Sequence, residues 1–146
     1  MSDPLRVLVC VPWADRLGGA EQMLWSALGN ADATRVEYQV AFLDRGPFEA
    51  EVAALGVPTF TVPAGRMREP RAGGAAIRRL ARVIAAQEPD LVLNWATKSQ
   101  LYGAAAALRA RRHRRVVWWQ HGVPRGDWMD RAATALPARA IGCSSK

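Results

Sequence analysis

Residues 6 to 28 constrain the fold more than any other stretch. Arg6-Val7-Leu8-Val9-Cys10-Val11 is an apolar, β-branched run without polar alternation, which describes a strand buried on both faces. Such a strand belongs inside a parallel sheet with helices on either side. Pro12 ends it, because proline has no N–H to give to a central ladder. A loop of mixed polarity over residues 13–17 leads to Gly18-Gly19-Ala20-Glu21. From Ala20 the apolar residues Met23, Leu24, Ala27 and Leu28 recur at helical spacing. Two glycines at the mouth of a helix let a ligand approach the free N–H groups with no Cβ in the way. The positive end of the helix dipole there favours an anion, most often phosphate. The other reading of the pair is a tight turn. Neither a G-x-G-x-x-G fingerprint nor the Lys-Ser/Thr of a Walker A loop is present.

The same alternation repeats along the chain. Strands are predicted at 36–43, 57–62, 90–95, 116–120 and 139–143, the third tolerating Pro58 at its start or at an edge. Helices are predicted at 48–55, 75–87, 97–109 and 128–136. In the helix at 75–87, Ile77, Leu80, Ala81 and Ile84 face inward and Arg78, Arg79 and Arg82 face water. The alanine-rich helix at 97–109 has Leu101, Ala105 and Leu108 on one side. The segment 63–74, with Arg66, Arg68 and Arg71 and three glycines, reads as a mobile loop. Strands alternating with helices predict a doubly wound α/β fold: about six parallel strands in order 3-2-1-4-5-6, with helices on both faces. The 146 residues, half of them hydrophobic, suffice for one such domain. The chain stops at Lys146, barely past a strand and with no helix to cover it, as a piece of a longer protein would.

No apolar stretch reaches the length of a membrane span, and no signal peptide is read at the N-terminus. Cys10 and Cys143 fall in predicted strands with two others between them, so the thiols stand roughly 14 Å apart. That is too far to bridge, and both are expected to be buried thiols of a cytoplasmic protein. Two histidines without Cys, His or carboxylate partners at ligand spacing give no metal site. No G-x-S-x-G elbow supports a serine nucleophile.

Ligands of an open α/β sheet bind beyond the carboxyl ends of its strands. That rim collects Gly18, Gly19, Arg66, Arg68, Asn94, Trp95, Lys98, His121 and Gly122. His121 follows directly on a buried strand, beside a glycine that leaves its approach open. An imidazole there can exchange a proton near neutral pH or hydrogen-bond a sugar hydroxyl, or it can be a packed residue satisfied by a backbone carbonyl. Asn94 and Lys98 could hold hydroxyls and a phosphate, and Arg66 and Arg68 an anionic ligand. The bland reading of these cations is solvated surface.

A strand followed by Gly18-Gly19-Ala20-Glu21, a fourth strand ending near Asn94 and a fifth ending in Gln120-His121-Gly122 together resemble the nucleotide-sugar glycosyltransferases of the GT-B fold. The likeness is to the N-terminal, acceptor-side domain of the large retaining group that includes mannosyltransferases and sucrose synthase-like enzymes. It covers essentially the whole chain. The resemblance implies transfer of a sugar from a nucleotide-sugar donor to an acceptor hydroxyl, with no cofactor or metal beyond the co-substrate. It has Gly18 and Gly19 present their amides to the donor diphosphate or the acceptor, and makes His121 the active-site histidine. It puts Arg66, Arg68, Asn94, Lys98 and Gly122 toward a glycan, lipid-linked or small-molecule acceptor. Glu21 is read as structural, in the first helical turn. The second domain, with the Arg/Lys pair and E-x7-E motif that carry most of the nucleotide site, is missing from residues 1–146. The fragment is therefore expected to need its own C-terminal domain for turnover.

Two other classes fit the residues: a stand-alone nucleotide- or phosphate-binding module without catalysis, and a basic domain that binds a partner or nucleic acid. The resemblance argues against nucleic acid. The net charge of +7 is carried mostly by arginine. Arg109, Arg111, Arg112, Arg114 and Arg115 precede the fifth strand, at the amino end of the sheet, and should not touch substrate. They are either a solvated loop or a surface that attracts anionic lipid. The localisation implied is cytoplasmic, with peripheral contact to the inner membrane face as the second option.

Overall fold

The computed structural model describes residues 3–16 and 18–143, so Leu17, at the end of the expected loop, lies outside the described residues. Six parallel strands form one sheet: β1 (Leu5–Val11), β2 (Val36–Phe42), β3 (Thr59–Thr61), β4 (Leu91–Trp95), β5 (Val116–Gln120) and β6 (Ala140–Cys143). Their order is β3-β2-β1-β4-β5-β6, as the alternation predicts. The helices are α1 (Gly19–Gly29), α2 (Pro47–Ala53), α3 (Pro70–Gln87), α4 (Thr97–Arg109) and α5 (Trp128–Ala135), with a 3-10 turn at His113–Arg115.

β1 explains the layering. Val7, Val9 and Val11 point into a cluster with Leu24, Leu28, Phe48 and Val52 of α1 and α2. Leu8 and Cys10 point the other way, among Ala76, Leu80 and Ile84 of α3 and the alanines of α4. A strand covered on both faces needs no polar alternation. The direction of sheet growth reverses between β1 and β4, where Cys10 pairs with Asn94, so the rim there is the switch point at which such sheets bind ligands.

Several expectations change. α3 begins at Pro70, not 75, so the expected mobile loop shrinks to 62–69 and Arg71 lies in the first helical turn. Proline suits the first helical turn because its fixed φ is already helical. Gly73 does not break the helix, because a Cβ there would lie 3.3 Å from the Tyr102 hydroxyl; the residue admits α4 at close range. The remaining loop is tethered by Lys98 Nζ, which donates to the Gly65 carbonyl at 3.5 Å, and by Tyr102 OH to Met67 Sδ at 3.6 Å. The buried side of α4 is Tyr102, Gly103, Ala104, Ala106 and Ala107, whereas Leu108 is exposed. Small residues let α4 sit near the sheet, and the leucine is left outside. In α1 the inward stripe is Glu21, Leu24 and Leu28, with Met23 and Ala27 toward solvent. Cys10 is buried, which pushes its thiol up to about 12, but Cys143 is exposed because β6 is an edge strand.

Candidate functional site

The rim divides into two sides. On the α1 side, Gly18 and Gly19 are exposed at the helix start, and no side chain caps the helix. Gly18 has φ −155, extended backbone open to any residue, and neither glycine is in the left-handed region. The turn therefore does not require them. A Cβ at Gly19 would meet nothing within 4 Å, so the helix mouth opens to free space. The first N–H groups of a helix lack intrahelical acceptors, and here they face outward beside two residues without side chains.

His121 stands on the same side. Trp119 and His121 are two residues apart, so both project from one face of the β5 line, and Trp119 pairs in register with Trp95 of β4. The result is an aromatic stack. Trp95 and Trp119 ring centroids are 5.9 Å apart and near parallel, and the imidazole lies 4.4 Å from Trp95 and 6.2 Å from Trp119. Burial lowers the His121 pKa below its ordinary value, and the Glu21 carboxylate partly offsets this. The imidazole is consequently neutral at pH 7, a hydrogen-bonding group without charge. Glu21 itself is only 5% exposed, with Oε2 3.1 Å from where a Gly18 Cβ would be. It joins α1 to the histidine electrostatically and was not among the expected site residues, although it shares the buried helical spacing of Leu24 and Leu28.

Beside His121 lies an open cavity of about 330 Å³ lined by Thr97, Val123, Arg125 and Asp130 among others. Thr97 Oγ1 donates to Gln120 Oε1 at 2.8 Å, tying the start of α4 to the end of β5. Gly122 has φ +81, a conformation that favours glycine, so it turns the chain away directly after the histidine. Asp130 accepts from the Arg125 and Gly126 amides at 2.6 and 2.9 Å, bracing the loop that follows.

On the α3/α4 side, Arg66 and Arg68 are exposed on the tethered loop and Lys98 reaches its backbone, so these three cations share one region. Asn94 does not join them. Leu91, Leu93 and Trp95 face α1, so Asn94 points beneath α4. It is 0% exposed and donates through Nδ2 to Gln100 Oε1 at 2.8 Å. The expected acceptor role of Asn94 is therefore replaced by a structural one. Among the described residues, no three His, Cys, Asp or Glu side chains gather as a metal site would need. The expected arginine run lies at the amino end, where Arg112 pairs with Glu88 at 2.8 Å and Arg115 with Asp90 at 3.4 Å.

With this geometry in place, known proteins offer a comparison. The profile of Glycosyltransferase Family 4 matches residues 17–145. No curated protein matches the chain. Among solved structures, HepE of Anabaena in complex with UDP gives a TM-score of 0.71 at 19% identity, over 94% of this chain and 37% of its own. The lipopolysaccharide outer core galactosyltransferase WaaB, in its apo form, gives 0.72 at 13% identity, over 93% of this chain and 38% of its own. A protein described as a UDP-N-acetylglucosamine 2-epimerase from Listeria monocytogenes gives 0.70 at 16% identity, over 97% and 39%. The chain spans less than half the length of these structures. At such identities the likeness is one of fold.

Proposed function

The chain belongs to glycosyltransferase family 4, and from that premise we propose that it supplies the acceptor-side wall of a GT-B active site, completed by a second, nucleotide-binding domain. The reaction breaks the bond between the sugar anomeric carbon and the donor diphosphate and forms one to an acceptor oxygen. Negative charge grows on the departing diphosphate, and the proton of the acceptor hydroxyl passes to its freed oxygen. The uncapped N–H groups at Gly18 and Gly19 suit that charge, since donors aimed at developing charge act mainly in the transition state. His121, kept neutral by burial, would hydrogen-bond a donor sugar hydroxyl without competing for the phosphates. Arg66, Arg68 and Lys98 lie where an acceptor with anionic groups would be gripped, and Gly122 leaves room beside the histidine. HepE is described with UDP and with UDP-glucose, so UDP-sugars are the donors to try first.

The observation that carries this reading is the pairing, at the switch point, of an open glycine-bearing helix start with a histidine seated against the Trp95–Trp119 stack. Its test uses the full-length protein. His121→Ala should lower kcat by about 10²-fold or more while donor Kd changes little, the pattern of an interaction made mainly in the transition state. Wild-type kcat in the variant would return His121 to packing alone.

A further inference from the structure

At the amino end of the sheet, away from the rim that carries His121, a cavity of about 370 Å³ lies along β2. Its size falls within the usual range of small-molecule sites, roughly 300–1,000 Å³. It exists because the sheet is incomplete there. β3 pairs only with Val40, Ala41 and Phe42, so residues 36–39 of β2 form a free edge. Leu28 and Gly29, at the end of α1, make one wall, and Leu55, Val57 and Pro58, between α2 and β3, make the other. A Cβ on Gly29 would stand 3.8 Å from Leu55 Cδ2, so the two walls are close to contact.

The polar groups around this cavity are mainly acceptors. Glu37 lines it and, among the described residues, forms no ion pair. Arg6, opposite Glu37 on β1, donates instead to the Gln87 carbonyl. Gln39 lines the cavity as well. Its Nε2 donates to Gln87 Oε1 at 3.1 Å, which leaves Gln39 Oε1 buried with no partner among the described residues. The Leu28 and Gly29 carbonyls belong to the last turn of α1, where no further turn supplies donors. That turn holds no basic residue, so the negative end of the helix dipole is not offset within it. The surrounding part of the chain is acidic too. Residues 1–65 carry four Lys and Arg against eight Asp and Glu, a net of −4 in a chain of +7.

A buried acceptor without a donor is costly, and a ligand that brings N–H groups removes that cost. A primary ammonium brings three such donors and a positive charge. Leu28, Leu55 and Val57 match an apolar body behind it, and the Tyr38 ring on the same wall suits a cation. A divalent metal needs several oxygen ligands at close range, whereas Glu37 is the one carboxylate among the described lining residues. We infer that this cavity binds a small organic ammonium ion, an aliphatic or aromatic primary amine, through Glu37 and Gln39. The site lies at the other end of the sheet from His121 and stands apart from the transferase reading.

The test is titration of the chain with pentylamine hydrochloride, followed by calorimetry and by backbone amide NMR. Wild type should bind with a Kd below about 1 mM. The amide shifts should change chiefly in residues 28–39 and 55–58. Glu37→Gln keeps the shape of an exposed side chain, removes its charge and should weaken binding about tenfold or more. Asp44→Asn, just past the other end of β2, removes the same charge and should bind as wild type. The amide spectrum of each variant confirms that it is folded. No wild-type binding at about 10 mM amine would overturn the proposal. So would equal loss in the two variants, shifts centred elsewhere, or 1-pentanol binding as tightly as the amine. Tighter binding of magnesium or calcium ions at Glu37 would likewise reject an organic cation.

Discussion

Gly103 gives the sharpest test of the packing beneath the site. In a helix interior, alanine is normally favoured over glycine by about 1 kcal/mol. At Gly103 a Cβ would lie 2.6 Å from Asn94 Cγ and 3.0 Å from Nδ2, with Oδ1 nearer still. The carboxamide cannot swing away freely, because Nδ2 is bonded to Gln100, which in turn donates to the Pro137 and Ala133 carbonyls at 3.3 and 3.4 Å. Overpacking of this kind costs about 1–3 kcal/mol, and losing the Asn94–Gln100 bond costs about 1 more. Against the helix propensity gain, Gly103→Ala should destabilise by about 2 kcal/mol. That is roughly 4–8 °C in Tm for a domain of this size. Gly74 is the control: a Cβ there meets only Arg78 Nη1 at 3.6 Å, so Gly74→Ala in α3 should stabilise. Thermal and urea melts followed by circular dichroism read both. The decisive comparison adds Asn94→Ala, in whose background Gly103→Ala should be neutral or stabilising, a coupling of about 2 kcal/mol. A Gly103→Ala protein as stable as wild type, or strict additivity with Asn94→Ala, would refute the steric account.

Other outcomes follow from the site. Glu21→Gln removes the carboxylate that supports protonated His121, so the histidine pKa should fall further below its ordinary value, read by NMR titration against wild type; an unchanged or raised value would remove Glu21 from the site. Because the folded pKa of His121 is depressed, the unfolded chain binds the proton more readily, so its contribution to stability is complete above about pH 6.5 and lost as pH falls toward the folded value. The chain of 146 residues alone should bind UDP-sugars only weakly and turn over none, and micromolar binding by calorimetry would show that the nucleotide site lies within it.

The sheet and its order were legible because physical chemistry ties them to short patterns. Apolar β-branched runs mark strands covered on both faces, and helices between parallel strands leave few topologies. The start of α3 was not legible, since Gly73-Gly74 read as a break until Tyr102 is seen packed against Gly73. Asn94 was misassigned because position along the chain placed it at the rim, whereas side-chain parity places it below. Leu91, Leu93 and Trp95 already claim the α1 face, so the alternating residue turns toward α4. The same parity could have revealed the seat of His121, since Trp119 and His121 share a side. Glu21 also left a trace in its helical spacing to Leu24 and Leu28. The convergence of α1 and β5 that makes Glu21 act on His121 is tertiary and leaves no local signature.

One backbone feature ties these observations together. Ala96, between β4 and α4, has φ 86 and ψ 170, a region otherwise occupied almost only by glycine. Holding alanine there costs on the order of 1–3 kcal/mol. The conformation persists because the Ala96 amide donates to the Trp119 carbonyl at 2.9 Å, carrying the β4–β5 pairing one residue past the strand. That bond keeps Trp95 and Trp119 side by side, and their stack is the surface on which His121 rests. Ser99 adds a second restraint, its Oγ donating to the Trp95 carbonyl at 2.5 Å. The strain is thus local to the one junction where both tryptophans are fixed. The strained junction fixes where the Trp95–Trp119 stack lies and with it the seat of the His121 ring, which is the preorganisation that the role proposed for this histidine calls for.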